Sequence, residues 1–313
     1  MKVAITGANG FVGKALNLYL QERAIETVLL SRKQNIIHGQ QCIVSDYSDI
    51  KKMQSQLLGV DVVVHLAGLA HQDEGAYSLQ EYIEANVNAT KVIAESAKKA
   101  KVNRFIYISS IAVNGEGTEK YKAYAESDLP NPVSYYGKSK YMAEKVIKSI
   151  LENSTTDYVI FRPTLIYGPN CPGNFRKLIL ITRYISILPF GGLKNKRSLI
   201  YIDNITDAIF HTLSLPVVAN EIFIVSDKES YSVKEIIEIM MQEKFGKKAI
   251  NFYIPIVIFE VLSKFFGIYH MWRKFSTELV VDSNKLTTKL HWQPPFTALE
   301  GIKKTTAGYN LDD

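Results

Sequence analysis

The first twenty residues limit the fold most. Val3 to Thr6 is a short apolar run, glycines follow at positions 7, 10 and 13, and Lys14 to Leu20 carries a helical pattern. A strand that turns on glycine straight into a helix gathers backbone N–H groups at a positive helix end, which suits an anion. Gly7 permits the tight turn, Gly10 lets the backbone approach a pyrophosphate, and Gly13 allows the helix to lie close on the strand. Further strand-like runs alternate with helical patterns: Thr27 to Leu30, Cys42 to Val44, Val60 to Leu66, Phe105 to Ile108 and Tyr158 to Phe161. Their nearly continuous apolar character suits strands buried on both faces. The alternation predicts an α/β chain with a doubly wound parallel sheet and right-handed crossovers.

After Pro163 the pattern loosens into loops rich in Gly, Pro and Asn, then resumes as helices and short strands. The expected division is a dinucleotide-binding domain over residues 1–165 and a smaller C-terminal α/β substrate domain over 166–199 and 227–313. Residues 200–226 return to the first domain, because Ile222 to Val225 reads as another strand of the main sheet. Ligands of open α/β sheets sit beyond the carboxyl ends of the strands, which is where the smaller domain belongs.

At 313 residues the chain can bury a large core. Its net charge of +6 is spread along helices, with no basic stripe interleaved with aromatics, so nucleic acid is not an expected partner. An anionic small molecule fits that charge. Cys42 and Cys171 are far apart and neither sits in a cluster of Cys and His, which argues against a disulfide framework and against a metal site. Met1 leads directly into the first strand without a signal-peptide pattern, and the expectation is a cytoplasmic protein. The apolar stretch from Phe252 to Ile268 is interrupted by Pro255, Glu260 and Lys264, so it reads as an amphipathic helix too short to span a bilayer.

Tyr136 and Lys140 lie one helical turn apart and project from one face. An ammonium beside a phenol stabilises the phenolate and is expected to draw the tyrosine pKa down from near 10. Spacing alone does not single the pair out, since Tyr47/Lys51 and Tyr141/Lys145 repeat it.

The glycines at i, i+3 and i+6 in Thr6-Gly7-Ala8-Asn9-Gly10-Phe11-Val12-Gly13 resemble the extended branch of the short-chain dehydrogenase/reductase superfamily, the NAD-dependent epimerase/dehydratase family. The resemblance implies a Rossmann sheet and a Ser/Tyr/Lys triad. Ser110, after Phe105 to Ser109, stands at the distance from Tyr136 that such a triad requires. Ser110 would hold the substrate oxygen, Tyr136 would transfer the proton, and Lys140 would bind the nicotinamide ribose. By the same likeness the cofactor would be lined by Gly7, Asn9, Gly10, Phe11, Val12, Gly13, Asp46, Tyr47, Leu66, Ala67, Gly68, Asn86 and Pro163, besides Tyr136 and Lys140. Asp46 is expected to accept from the adenine amino group, Asn86 to tie neighbouring strands, and His65 to pack or support backbone. Where many NAD-specific relatives carry an acid, this chain has Ser31-Arg32-Lys33, donors suited to a 2′-phosphate, so NADP(H) is the expected preference, with NAD(H) the alternative.

Residues after the triad serine divide the branch by reaction. Sugar 4,6-dehydratases place adjacent Asp and Glu there, whereas this chain has Ile111-Ala112. Three segments, His65 to His71, Ile108 to Glu116 and Ser198 to Asn204, are similar to bacterial UDP-4-keto-6-deoxy-N-acetylhexosamine 4-reductases of surface-polysaccharide biosynthesis. That similarity implies NADPH-dependent reduction of a UDP-linked 4-keto sugar. Asn174 and Arg197 would reach the diphosphate or sugar, and Arg273 is a candidate second clamp or a surface salt-bridge partner. Arg162-Pro163-Thr164 and Tyr167-Gly168-Pro169 would line the nicotinamide edge. A UDP-hexose 4-epimerase with retained NAD is the alternative enzyme, and an NADP-sensing regulator the alternative without chemistry. By analogy with the branch, helices Ser78–Lys99 and Tyr136–Ile150 would form a homodimer.

Overall fold

The structure is a computed structural model that describes residues 1–70, 76–173, 194–246 and 276–309, with positions 175, 178, 179, 182, 187, 188, 250, 251 and 264 between them. It opens with β1 (Lys2–Thr6), α1 (Phe11–Gln21) and β2 (Glu26–Ser31). A small hairpin of β3 (Ile36–Ile37) and β4 (Gln40–Gln41) precedes β5 (Ile43–Val44) and α2 (Ile50–Gln56). After β6 (Val62–His65) comes a long helical stretch in three parts: α3 (Leu79–Tyr82), a π-helical segment Ile83–Asn88, and α4 (Ala89–Lys99). Next are β7 (Arg104–Ile108), a 3-10 turn Ile111–Val113, α5 (Tyr135–Leu151) and β8 (Asp157–Pro163).

These strands build a seven-stranded sheet in the order β12-β8-β7-β6-β1-β2-β5, every pair parallel, where β12 is Glu221–Val225. The predicted doubly wound fold is therefore the observed one. Successive residues of β1 alternate between two apolar layers. Val3 and Ile5 join Leu16, Leu20, Ile205 and Ile209 on one face, while Ala4 joins Met53, Ile93, Ala97 and Ile147 on the other. Burying each such aliphatic side chain contributes roughly 1.5–3 kcal/mol, and β6 and β7 are buried along their whole length. One expected strand departs from that rule: Ile43 and Val44 of β5 are exposed, because β5 is the sheet edge and has a neighbour on one side only.

Outside the main sheet, β9 (Leu165–Tyr167), β11 (Lys196–Tyr201) and β13 (Ser230–Ser232) form a three-stranded sheet, and β10 (Ile187–Leu188) pairs with β14 (Ile250–Asn251). Helices Ile202–His211, Val233–Phe245, Asn284–Leu290 and Ala298–Ala307 complete the described chain. Among the described residues no helix is long and apolar enough to cross a membrane. The apolar run expected as a helix over 252–268 lies outside them, except for Lys264.

Strand order reverses at β1, which has β2 on one side and β6 on the other. Beyond the carboxyl ends of β1 and β6 is therefore the crevice in which such sheets bind ligands.

Candidate active site

One wall of the crevice is the glycine loop. Gly7 has φ +69°, and a Cβ there would lie 2.7 Å from the Ala67 amide nitrogen. A Cβ on Gly13 would fall 2.6 Å from the Gly7 carbonyl oxygen, so only glycine lets α1 lie this close to β1. Helices α2, α3 and α5 are capped by the side chains of Asp49, Ser78 and Ser134, but α1 begins after Gly10 without a side-chain cap. Its first turn carries no acid either. An uncapped helix start approached by side-chain-free backbone fits a pyrophosphate.

Tyr47 lies beneath this loop. Its buried hydroxyl donates to the Leu30 carbonyl at 3.0 Å and accepts from the Gly7 N–H at 3.2 Å, which makes it a support of the loop. At the end of β2, Ser31 Oγ accepts from Asn9 Nδ2 at 2.6 Å, and Asn9 Oδ1 accepts from Asn35 Nδ2 at 2.7 Å. Arg32 and Lys33 are exposed beside this polar cluster. Asp46 is exposed too, its carboxyl held below the usual range by hydrogen bonds from Ser48. On the opposite wall, a Cβ on Gly68 would be 2.7 Å from Asn86 Oδ1 and 3.6 Å from Lys140 Nζ. Asn86 Oδ1 accepts from Leu69 N–H, and its Nδ2 donates to Leu69 O and to Ser139 Oγ. Pro163 is buried as the last residue of β8.

Ser110, Tyr136 and Lys140 come together at the carboxyl end of β7. Ser134 caps α5 by accepting from the Gly137 N–H, so the helix axis and the Tyr136 position are set by the residue two before it. The Ser110 and Tyr136 hydroxyls are hydrogen-bonded, and the Tyr136 ring meets Tyr82 edge-on at 6.3 Å between centroids. Lys140 Nζ donates to the Ile108 carbonyl at 2.9 Å and lies 4.8 Å from the Tyr107 ring centroid and 6.0 Å from that of Tyr136.

The expected lowering of the phenol pKa is not what this structure shows. Burial pushes Tyr136 up to about 12, against the opposing hydrogen bond from Ser110. Burial also pushes Lys140 down to about 8, against the pull of Glu144. Desolvation outweighs the pairing because the ammonium points at a backbone carbonyl, so the charge that would hold a phenolate is directed elsewhere. The other two Tyr/Lys pairs separate cleanly from this one. Tyr47 precedes α2 with φ +62°, so it shares no helix face with Lys51. Lys145 Nζ stacks 4.3 Å from the Tyr141 ring centroid, away from Ser110's partner Tyr136.

The sequence profile of the NAD dependent epimerase/dehydratase family matches residues 3–226. The chain belongs to this family. It is 34% identical over 312 residues to a UDP-glucose 4-epimerase of Vibrio cholerae, covering 98% of this chain and 95% of that relative. It is 26% identical over 318 residues to the N-acetyl-alpha-D-glucosaminyl-diphospho-ditrans,octacis-undecaprenol 4-epimerase of Escherichia coli O157:H7, covering 97% and 93%. Among solved structures, MoeE5 in complex with UDP-glucose and NAD matches with a TM-score of 0.79 over 98% of both chains at 22% identity, a likeness of fold.

Within this epimerase/dehydratase fold, Glu144, which the sequence did not single out, and Arg162 support the triad from behind. Glu144 continues the Tyr136/Lys140 stripe one turn further along α5. Arg162 Nη2 and Nε donate to its carboxylate at 2.6 and 3.0 Å, Ser109 Oγ donates at 2.6 Å, and Arg162 Nη1 donates to Asn114 Oδ1 at 3.0 Å. Both partners of the ion pair are almost wholly buried. Arg162, expected at the nicotinamide edge, is committed to this clip between β8 and α5. The i+4 spacing from Lys140 was the available signal for Glu144.

Downstream of Ser110, Ile111 is buried and Ala112 gives its N–H to Ser110 Oγ at 3.2 Å. Neither can shuttle a proton. The loop that follows is sewn to the chain's last third: Thr118 N–H to Glu278 O at 2.7 Å, Tyr124 N–H to Val280 O at 2.9 Å, and Asp282 N–H to Tyr124 O at 2.8 Å. Arg197, on β11, donates to Thr277 O at 2.8 Å in the same seam, and burial lowers its pKa. Asn174 and Arg273 lie outside the described residues.

Proposed function

We propose that this protein exchanges hydride at C4 of a nucleotide-linked hexose and thereby interconverts 4-epimers. The observation that carries the reading is the hydrogen-bonded Ser110–Tyr136 pair beside Lys140, followed by Ile111-Ala112, which cannot serve as the acid and base of an elimination. The 34% identity to a UDP-glucose 4-epimerase over nearly the full chain supports the same choice. A dinucleotide fits the glycine cradle described above, and a nicotinamide bound there would supply the hydride store. The uncapped start of α1 would hold the pyrophosphate. Ser110 would fix the C4 oxygen, Tyr136 would carry its proton, and Lys140 would place a cation beside the ribose. Arg197 and residues 166–199 and 227–313, as a substrate domain, would receive the anionic sugar nucleotide. Tyr135 and Met142, exposed on α5, favour a homodimer through that face.

A second reading, the NADPH-dependent 4-ketoreductase expected from the sequence, is favoured by two observations. Arg32 and Lys33 are free to meet a 2′-phosphate beside Ser31, and a phenol at about 12 holds its proton at neutral pH, ready for a keto oxygen. The test is to identify the nucleotide that co-purifies and to follow UDP-glucose, UDP-N-acetylglucosamine and a UDP-4-keto-6-deoxy-N-acetylhexosamine by NMR. Retained NAD and appearance of the 4-epimer support the first reading. NADPH consumption with the keto sugar, and no epimer, overturns it for the second.

A further inference from the structure

β6 ends in His65, whose fully buried ring lies between Phe105 and Tyr107 at centroid distances of 5.8 and 5.4 Å. Each ring nitrogen has a partner: Nδ1 is 2.7 Å from Thr6 Oγ1, and Nε2 is 2.8 Å from Thr90 Oγ1. Counting hydrogens assigns the ring proton. Thr90 has one hydroxyl hydrogen and gives it to the Asn86 carbonyl at 2.5 Å, so towards His65 it accepts. The proton is therefore on Nε2. Nδ1 is then an acceptor and takes the Thr6 hydroxyl hydrogen, which leaves Thr6 Oγ1 to accept from the Ala67 N–H at 3.3 Å. The hydrogen bonds run one way, from Ala67 through Thr6, His65 and Thr90 to Asn86.

Both ends of that chain are walls of the crevice. Ala67 N is the atom that a Cβ on Gly7 would strike, and Asn86 orders Leu69 next to Gly68 while holding Ser139 of α5. Asn86 itself belongs to the π-helical segment, a widened turn of a kind frequent at functional sites. Burial and the nearby Lys140 ammonium keep the imidazole neutral, with its pKa pushed down to about 3.

We propose that His65, as the neutral Nε2–H tautomer, is a positioning residue that locks the glycine loop of β1 and the Asn86 turn into one register and so presets both walls for the nucleotide. The proposal rests on reading the crevice as a dinucleotide site. Its first test needs no variant to fold: ¹⁵N-labelled protein is expected to show a pyrrole-type Nε2 and a pyridine-type Nδ1 for His65 throughout the neutral range. A protonated Nδ1 or an imidazolium overturns it. The second test titrates NADH and NADPH into His65→Gln and His65→Leu, Gln retaining one acceptor and one donor. Leu leaves the buried Thr6 hydroxyl hydrogen without its acceptor and Thr90 Oγ1 without its donor, and is expected to weaken binding by ~10-fold or more, while Gln stays within ~3-fold of the parent. Undiminished affinity in the Leu variant, or an equal loss in both, overturns the proposal. A parent protein that binds neither nucleotide overturns the dinucleotide reading and the positioning role together, whereas a wrong tautomer removes only the latter.

Discussion

Tyr136 and Lys140 show how a pairing that is chemically sensible in isolation changes when it is buried. The phenol rises and the ammonium falls, so at neutral pH the protonated phenol is the resting form in this structure. Tyr136→Phe removes the proton carrier while leaving the ring against Tyr82, and its turnover is expected to drop by ~10²–10⁴-fold with nucleotide affinity little changed. Stopped-flow or product NMR beside a fluorescence titration checks both halves. Arg32→Ala removes a guanidinium free to meet a 2′-phosphate, and is expected to lower the NADPH-to-NADH ratio of kcat/KM by roughly 1–3 kcal/mol equivalent. An unchanged ratio would mean that the exposed guanidinium does not meet the cofactor. The tyrosine was legible in the sequence only because Ser110 stands at the right distance, since three Tyr/Lys pairs share its spacing.

Elements place these side chains, and the clip between α5 and β8 is the clearest case. Glu144 and Arg162 are each almost without solvent and satisfy each other through two hydrogen bonds, so removing one strands the other. Glu144→Ala is expected to cost about 3–5 kcal/mol in urea unfolding, and Glu144→Leu with Arg162→Met much less, because neither charge is then left alone. Gly7→Ala forces a left-handed backbone and a clash with Ala67 N, and nucleotide binding is expected to be lost before the fold is. Local chemistry made β1, its glycine loop and α1 readable from residues 3–20. The clip was not, because recognising Arg162 as the partner of Glu144 requires knowing that β8 lies beside α5. Nor was the π-helical segment: a single widened turn leaves the helical periodicity of 78–99 almost unaltered, and that stretch reads as one continuous helix.

Across the whole molecule, two buried titrating groups pull stability in opposite directions with pH. His65 binds its proton only below about 3 when folded, against about 6.5 when unfolded, so its contribution makes stability rise with pH through that window. Asp227, which accepts from Tyr201 N–H, Asn204 and Tyr167, is raised by burial to about 6 from about 3.8, so its contribution makes stability fall as pH rises between those values. His65→Gln is therefore expected to tilt the curve towards greater relative stability near pH 4, and Asp227→Asn to tilt it the other way. Urea midpoints of both variants and the parent between about pH 4 and 7 decide this, and parallel curves would refute it. The seam between residues 118–124 and 278–282 has a consequence for synthesis. The loop behind Ser110 leaves the ribosome well before the backbone that fastens it. A nascent chain can complete its seven-stranded sheet once β12 is out, yet the loop behind Ser110 stays unfastened until residues 278–282 follow. Stalled chains ending before residue 277 are expected to bind nucleotide but to be cut by protease between Gly117 and Glu126, so that ordering of the loop behind Ser110 waits on backbone made long after it.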